Sequence, residues 1–244
     1  MRNANFSPSA ANGPDPVIVG GYTPLTTIDY PQALSAVLFL QGCPWRCGYC
    51  HNGGLIAVNS PATLPWRCVL DFLEKRRMLL DAVVFSGGEP TLQAGLGDAM
   101  RQVRALGFRV GLHTAGIYPR RLEKILPLVD WVGMDVKSAH ADYDRITGAR
   151  RSAARAWQSL RLILASGVAH EFRTTVHPDV LNLAQLDNLF CELAESGAKN
   201  VVVQDCVTEH CRDLRLRRCR NPRPAAGFFA RFSQWFDRLE IRRL

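Results

Sequence analysis

The amino-acid sequence predicts an α/β fold in which a sheet of parallel strands is covered by helices. Short apolar runs typical of buried strands recur along the chain, and segments with the apolar spacing of helices separate them. The 244 residues suffice for one well-packed domain. Six strands fall short of the eight of a closed barrel, so we expect an open, partial (βα)6 barrel of the TIM type with parallel strands, plus a C-terminal helical extension. Periodicity alone also allows a doubly wound sheet.

The strands and helices follow one another without an internal linker. The expected strands are residues 35–40, 82–85, 109–112, 131–134, 171–176 and 201–203. The expected helices are residues 64–80, 96–106, 119–128, 151–165 and 184–194. Several of these helices end beside a glycine, which is a common helix terminator. An aromatic stripe near the C-terminus has the spacing of one helix face and is more typical of core than of a docking surface; it comprises Phe228, Phe229, Phe232, Trp235, Phe236 and Leu239.

Composition divides the chain into three parts. Residues 1–18 have the makeup of a flexible extension, residues 19–205 form the expected barrel, and residues 206–244 form a basic, cysteine-bearing extension with an amphipathic helix. That last part has ten Arg against four acidic residues, within a net charge of +8. A solvated basic face explains this better than nucleic acid, because no nucleic-acid-binding motif accompanies it.

The targeting signals that the sequence offers are few. It contains no run near the ~20 apolar residues that cross a bilayer, and the N-terminus lacks the apolar core of a signal peptide. We therefore expect a cytoplasmic protein without a membrane partner. Its eight cysteines should then be thiols or metal ligands rather than disulfides.

Three cysteines lie close together just after the first expected strand. Cys43, Cys47 and Cys50 are three ligands within eight residues, and a complete iron–sulfur cubane takes four. Three would leave one iron open to a chelating molecule, which makes a cluster a reaction site. A zinc site with a fourth ligand from elsewhere is the alternative, although no second Cys-x-x-Cys pair is present and His51 directly follows Cys50.

The motif and its surroundings resemble the radical S-adenosylmethionine (SAM) superfamily, whose signature is Cys-x3-Cys-x2-Cys with an aromatic residue before the third cysteine. Tyr49 fills that aromatic position. The segments 26–31, 39–43 and 49–52 are similar to the glycyl-radical-enzyme activases, and most of all to the activating component of anaerobic ribonucleoside-triphosphate reductase.

This resemblance implies an activity and its partners. A 4Fe–4S cluster would reductively cleave S-adenosylmethionine to methionine and a 5′-deoxyadenosyl radical, and the radical would generate a glycyl radical on a partner reductase. The implied partners are that glycyl-radical enzyme and a low-potential electron donor such as flavodoxin or ferredoxin. No catalytic side chain is implied, because the cofactor pair performs the bond breaking.

The remaining unusual residues fall at the carboxyl ends of successive strands, where barrels carry their chemistry. A tight turn would explain the adjacent Gly87 and Gly88 but not Glu89, which follows them. Residues two apart in a strand share a face, so Asp135 and Lys137 should point the same way; a surface ion pair is the alternative. By resemblance the SAM contacts are Gly87, Gly88, Glu89, Thr114, Asp135, Lys137 and His177, with Tyr49 and His51 at the adenine edge. His113 departs from the family, which often has an acid there.

Other interpretations stay open at this point. The chain could activate another glycyl-radical enzyme or act on a small molecule, and a non-enzymatic zinc or iron–sulfur module that binds nucleic acid belongs to a different class. Cys206, Cys211 and Cys219 could form a second metal site with His210. The other two cysteines, at positions 68 and 191, lie on expected helices as small buried hydrophobic residues.

Overall fold

The computed structural model describes residues 15–218, 224 and 227–242. The strands are β1 (Val19–Thr26), β2 (Ser35–Leu40), β3 (Ala82–Gly87), β4 (Arg109–Thr114), β5 (Trp131–Asp135), β6 (Ala169–Val176), β7 (Asn200–Asp205) and β8 (Arg238–Arg242). The α-helices are α1 (Trp66–Glu74), α2 (Leu96–Ala105), α3 (Pro119–Ile125), α4 (Tyr143–Thr147), α5 (Ser152–Ser166) and α6 (Leu183–Glu195). All six expected strands are present, and the α/β class is confirmed.

The strands form one sheet in chain order, β1 to β8. β1 pairs with β2 in antiparallel orientation, and every later neighbouring pair is parallel. In the described part of the chain, β1 and β8 each have a single neighbour, so the sheet is open. Among the described helices, none has the length and apolar character needed to cross a bilayer.

Alternating side chains build two separate cores, as the period of two in a strand requires. Leu38 of β2 and Phe85 of β3 belong to the large core under the helices. Val37, Val84 and Trp131 point to the other face, where they pack with Tyr30 in a small second core. A flat sheet would keep side chains of β2, β3 and β5 apart, so this inner core shows that the sheet curves into a partial barrel.

The C-terminal segment differs from its expected form. Instead of one amphipathic α-helix, residues Phe228–Trp235 form a 3-10 helix, and Leu239 lies in β8, which pairs with β7. The aromatic stripe does contribute to the core, because Phe229 and Phe232 are buried against Phe190 of α6, with ring centroids 5.6 and 4.6 Å away. The pattern of β8, in which charged and apolar residues alternate, explains why the strand wins over the helix.

Three other expectations need correction. The helix expected over residues 64–80 ends at Glu74, and Met78 is almost fully exposed. Cys191 is exposed on α6, whereas Cys68 is buried as expected. The extension expected over residues 1–18 lies outside the described residues up to position 14, but Val17 is buried and the Asp15 carboxylate accepts a hydrogen bond from the Trp66 amide.

Candidate active site

The three-cysteine segment forms a loop whose two ends are tied together. The amide of Gly42 donates to the carbonyl of Leu55 at 2.7 Å, and that of Cys43 donates to Ile56 at 3.1 Å. Gln41 adds a side-chain bond to the carbonyl of Ala57 at 2.7 Å. Gly42 has a φ of +97°, which only glycine adopts at little cost. The chain therefore leaves β2 as a closed loop held over the carboxyl end of the sheet.

The three thiols of this loop fit a cluster better than a single ion. In the described part of the chain, the Cys43, Cys47 and Cys50 sulfurs do not converge on one point. The three donor atoms that lie within 4.8 Å of one another belong to other residues. Ligands of a cubane bind different irons and need not converge, whereas the ligands of one zinc ion must. Burial raises the pKa of Cys43 to about 12 and also raises that of Cys47. Metal binding must therefore displace protons from these thiols.

A cavity of about 340 Å³ lies beneath the loop. Inward-facing residues of six strands line it, from Phe39 on β2 to Gln204 on β7. Its lining includes ten of the twelve residues expected at the site: Cys43, Cys47, Cys50, Tyr49, His51, Gly87, Gly88, Thr114, Asp135 and Lys137. Glu89 and His177 are not in the lining. A larger cavity of about 570 Å³ is lined by Arg46, Tyr49 and other residues but by none of the three thiols, so the smaller one contains the chemistry.

Gly87 and Gly88 serve the backbone of this site. A Cβ on Gly87, which has a φ of +117°, would lie 2.3 Å from the amide nitrogen of Leu40, and one on Gly88 would lie 2.3 Å from the carbonyl oxygen of Gly42. The Gly88 amide donates to Leu40 at 2.9 Å, and Asn52 donates to the Gly87 carbonyl at 3.1 Å. The two glycines thus let the end of β3 lie directly against the cysteine loop.

Glu89 is fully buried behind the cavity lining and accepts hydrogen bonds from four protein donors. Two come from Thr91, through its amide and its hydroxyl; the Thr114 hydroxyl donates at 2.7 Å and the Ala115 amide at 2.9 Å. Burial raises the pKa of Glu89, while these hydrogen bonds oppose the rise. In this geometry the Glu89 side chain positions Thr114 and Ala115, which line the cavity, and a direct contact of Glu89 with the ligand stays a prediction.

Asp135 and Lys137 share the cavity face with an arginine that the sequence analysis missed. The Asp135 carboxylate lies 2.9 Å from the Lys137 ammonium and 3.1 Å from the Arg173 guanidinium. Burial alone would raise the pKa of Asp135, but the two cations hold it below its usual range. Burial would likewise lower the pKa of Lys137, and Asp135 outweighs it, so Lys137 stays charged. The net charge of this triad is positive.

Arg173 carried a signal that could have been found. A charged residue within a strand of a parallel sheet, where both faces are covered, needs a partner. Asp135 is directly opposite it in the register of β5 and β6. Gly133 leaves space for the Arg173 side chain, because a Cβ at position 133 would lie 2.9 Å from the guanidinium carbon.

Tyr49 lies between the loop and this triad. The Lys137 ammonium is 5.6 Å from the centre of its ring, which is a cation–π distance. The buried Tyr49 hydroxyl finds no hydrogen-bond partner among the described residues. A buried polar atom without a partner beside a cavity indicates that a bound group completes it.

The two histidines of the strand ends have different environments. His113 lines the cavity; its Nε2–H donates to the backbone oxygen of Asp29 at 2.9 Å, and burial together with Arg173 lowers its pKa to about 3. His177 is fully buried, with Nε2–H donating to Leu216 at 3.0 Å and Nδ1 accepting from the Asp179 amide. The geometry gives no support to a ribose contact by His177, because both ring nitrogens are used within the protein.

The segment after β7 packs onto the cysteine loop. The Arg212 guanidinium donates to the carbonyl of Arg46 at 2.7 Å, and the amide of Asp213 donates to that of Gly48 at 2.8 Å. His177, through Leu216, holds the same segment. The cysteine loop is therefore supported both by residues 55–57 and by the segment after β7.

A three-thiol loop over a polar cavity, at the carboxyl ends of parallel barrel strands, is the arrangement expected of an enzyme that binds a metal cluster through three cysteines. The Radical SAM superfamily model matches residues 37–186. The chain belongs to the radical SAM superfamily, and it is an enzyme that uses a 4Fe–4S cluster and S-adenosylmethionine.

Curated relatives add detail. The chain is 32% identical over 181 residues to MJ1227 of Methanocaldococcus jannaschii, whose name assigns it provisionally to the glycyl-radical enzyme activating enzymes; the match covers 70% of this chain and 73% of the relative. It is 30% identical to the PqqA peptide cyclase of Gluconobacter oxydans, covering 71% of this chain and 49% of the relative. It is 34% identical to the pyruvate formate-lyase-activating enzyme of Clostridium pasteurianum, covering 50% and 53%. The chain thus spans about half the length of the second and third relatives.

A solved structure shows the same fold. SuiB of Streptococcus suis, in a structure bound to S-adenosylmethionine, superposes with a TM-score of 0.61 at 14% identity, covering 84% of this chain and 48% of SuiB. At this identity the likeness concerns the fold alone.

Proposed function

We propose that this protein is a radical SAM activase that generates a glycyl radical on a partner enzyme, anaerobic ribonucleoside-triphosphate reductase, in the cytoplasm. The observation that carries the proposal is the position of the three thiols directly over a cavity lined by polar groups. When bound, the cluster and S-adenosylmethionine together supply one-electron cleavage of a sulfonium C–S bond, which yields methionine and a 5′-deoxyadenosyl radical.

The side chains of the cavity divide the binding task. Cys43, Cys47 and Cys50 would hold the cluster. The cationic Lys137 is suited to the carboxylate of the methionyl moiety, because its own partner Asp135 is shared with Arg173. Tyr49 would offer its unpartnered hydroxyl to the bound molecule.

The polypeptide target rests on two lines of support. The open sheet leaves β1 and β8 unjoined in the described part of the chain, so the barrel wall has a side through which a peptide segment could enter. The activase name of MJ1227, together with the sequence similarity of residues 39–43 and 49–52 to glycyl-radical-enzyme activases, supports a glycyl-radical enzyme as the target. A flavodoxin or ferredoxin would supply the electron.

The chemical part of the proposal is tested first. The cluster is reconstituted anaerobically and reduced, and 5′-deoxyadenosine and methionine are measured after addition of S-adenosylmethionine. We expect both products from the parent chain and from Cys191→Ala, whose thiol is exposed on α6, and neither from Cys47→Ala. A reduced, cluster-loaded protein that leaves S-adenosylmethionine intact would refute the activity.

The target needs a separate measurement. The active protein is incubated with the anaerobic reductase, and the glycyl radical is recorded by electron paramagnetic resonance; a reductase whose radical-site glycine is replaced by alanine is the control. If radical forms only on pyruvate formate-lyase, the activase class stands and the reductase is the wrong partner. If neither enzyme is activated, a peptide substrate such as that of the peptide cyclases becomes the better target.

A further inference from the structure

A second group of metal-ligand side chains lies at the edge of the active-site cavity, which His51 also lines, and the proposed function assigns it no metal ion. His51, Cys206 and Cys211 bring one donor atom each to within 4.8 Å of one another. The Cys206 and Cys211 sulfurs are 3.4 Å apart, and the Cys206 sulfur is 3.7 Å from His51 Nε2. The three residues come together although 155 positions separate His51 from Cys206.

The two distances from the Cys206 sulfur are close to those between ligands of a single tetrahedral ion. Zinc bound at about 2.3 Å from sulfur and about 2.0 Å from nitrogen sets its ligand atoms about 3.5–3.8 Å apart. A disulfide would require the two sulfurs at about 2.0 Å, so no disulfide joins them at 3.4 Å. Two thiolates and one imidazole are a donor set that suits zinc.

The backbone fixes the two thiols in place. Cys206 directly follows β7, and its amide donates to the carbonyl of Val176 at the end of β6 at 3.2 Å. Cys211 ends a 3-10 turn, and its carbonyl accepts from the Arg217 guanidinium at 2.7 Å. Both cysteines are buried, whereas His51 is exposed, so an ion could enter from the histidine side.

The site uses no ligand of the proposed cluster. His51 follows Cys50 in sequence, but Cys50 is not within the group of converging atoms. The structure also changes the composition expected from the sequence: His51 takes the place of His210, whose ring centroid is 6.1 Å from that of His51, and Cys219 lies outside the described residues.

We propose that His51, Cys206 and Cys211 bind one Zn²⁺ ion, separate from the iron–sulfur cluster. On binding, the two thiols release their protons and become thiolates, and the imidazole donates a lone pair, so the two thiolate charges cancel that of the ion. The ion would join the cysteine loop to the segment after β7. This site extends beyond the proposed activase function and does not depend on it.

Metal content tests the proposal on the full chain. The triple variant Cys43→Ala/Cys47→Ala/Cys50→Ala removes the cluster ligands, and we expect it to retain about one zinc per chain by mass spectrometry. Adding Cys206→Ser and Cys211→Ser should lower zinc affinity by more than about tenfold, since even loss of an outer-shell partner costs that much. Cys191→Ser, added to the same triple variant, is the matched control and should retain the ion. A triple variant without zinc, or serine variants that keep it, would overturn the site.

Cobalt(II) binding provides a spectroscopic test of the same donor set. Cobalt(II) added to metal-free protein should give thiolate-to-metal charge-transfer absorption in the parent chain that weakens in Cys211→Ser. Absorption of equal strength in the parent chain and in Cys211→Ser, or a Cys206–Cys211 disulfide in anaerobically purified protein, would contradict the proposal.

Discussion

Replacing Glu89 with glutamine separates the role that the structure gives this residue from the one that the sequence resemblance implies. The carboxylate accepts from Thr91 and Thr114 on one oxygen and from the Ala115 amide on the other. An amide can keep its oxygen toward the threonines, but its nitrogen then faces the Ala115 N–H. One acceptor is lost, and two donors are left facing each other in a buried position.

The structure sets the size of the effect. A lost hydrogen bond to a charged group costs about 1.5–3 kcal/mol, and an unsatisfied buried donor costs about 1–3 kcal/mol. Burial raises the pKa of Glu89, which means that the buried negative charge itself costs free energy. Its removal in the glutamine variant therefore offsets part of the loss. We therefore expect Glu89→Gln to lower the free energy of unfolding by about 2 kcal/mol. The affinity for S-adenosylmethionine should fall by about tenfold through displacement of Thr114 and Ala115.

Two measurements on the same protein decide between the roles. Urea unfolding of the cluster-free chain gives the stability, and equilibrium dialysis of the reconstituted protein gives the affinity. Asp98→Asn, an exposed carboxyl-to-amide change on α2, is the control and should alter neither. If Glu89→Gln keeps the parent stability and yet loses S-adenosylmethionine binding, Glu89 contacts the ligand directly and our account of its role is refuted.

Three further changes test the inner face of the barrel. Asp135→Asn leaves the Lys137 cation without a carboxylate; urea unfolding should show a loss of about 2 kcal/mol or more, and Asp135→Glu should recover part of it. His113, whose folded pKa of about 3 lies below the usual 6.5, stays neutral while the unfolded chain gains a proton, so stability should fall by about 1.4 kcal/mol per pH unit as the pH drops below 6.5. His113→Gln should lose that slope between pH 6.5 and 5, and an unchanged slope would contradict the pKa. Arg242→Met leaves Glu171 buried and unpaired and should cost about 3–5 kcal/mol in the same assay, whereas the double change with Glu171→Met should be close to neutral.

The local sequence pattern was sufficient to predict most strands of the barrel. The six expected strands exist because each combines an apolar run with a neighbouring helix that covers it. β1 was missed because Gly20, Gly21 and Pro24 weaken its strand pattern, and its pairing with β2 supplies what propensity does not. β8 was missed because the aromatic spacing that precedes it was extended through Leu239.

A site residue could be predicted from the sequence where its position at a strand end determines its role. Prediction was poorer where the role depends on hydrogen-bond partners from other elements. Residues two apart in a strand share a face, so the positions of Asp135 and Lys137 in the sequence were enough to predict that their side chains lie together. The partners of Glu89 and His177 lie after other elements, at Ala115 and Leu216, and no spacing in the sequence indicates them. Both side chains hold the segments around the cavity, and the ligand contacts expected of these two residues stay predictions.

The same reasoning explains why the segment after β7 belongs to the active site. Only three cysteines would bind the cluster, so bonds to the metal fix little of the loop's conformation. The backbone carbonyls of the loop also need hydrogen-bond donors. Arg212 and Asp213 supply those donors at Arg46 and Gly48. This segment also contains two of the three donors of the proposed zinc site. The geometry of the cysteine loop therefore depends on residues of the connection between β7 and β8. Arg212 and Asp213 therefore support the cysteine loop from outside the superfamily match at residues 37–186.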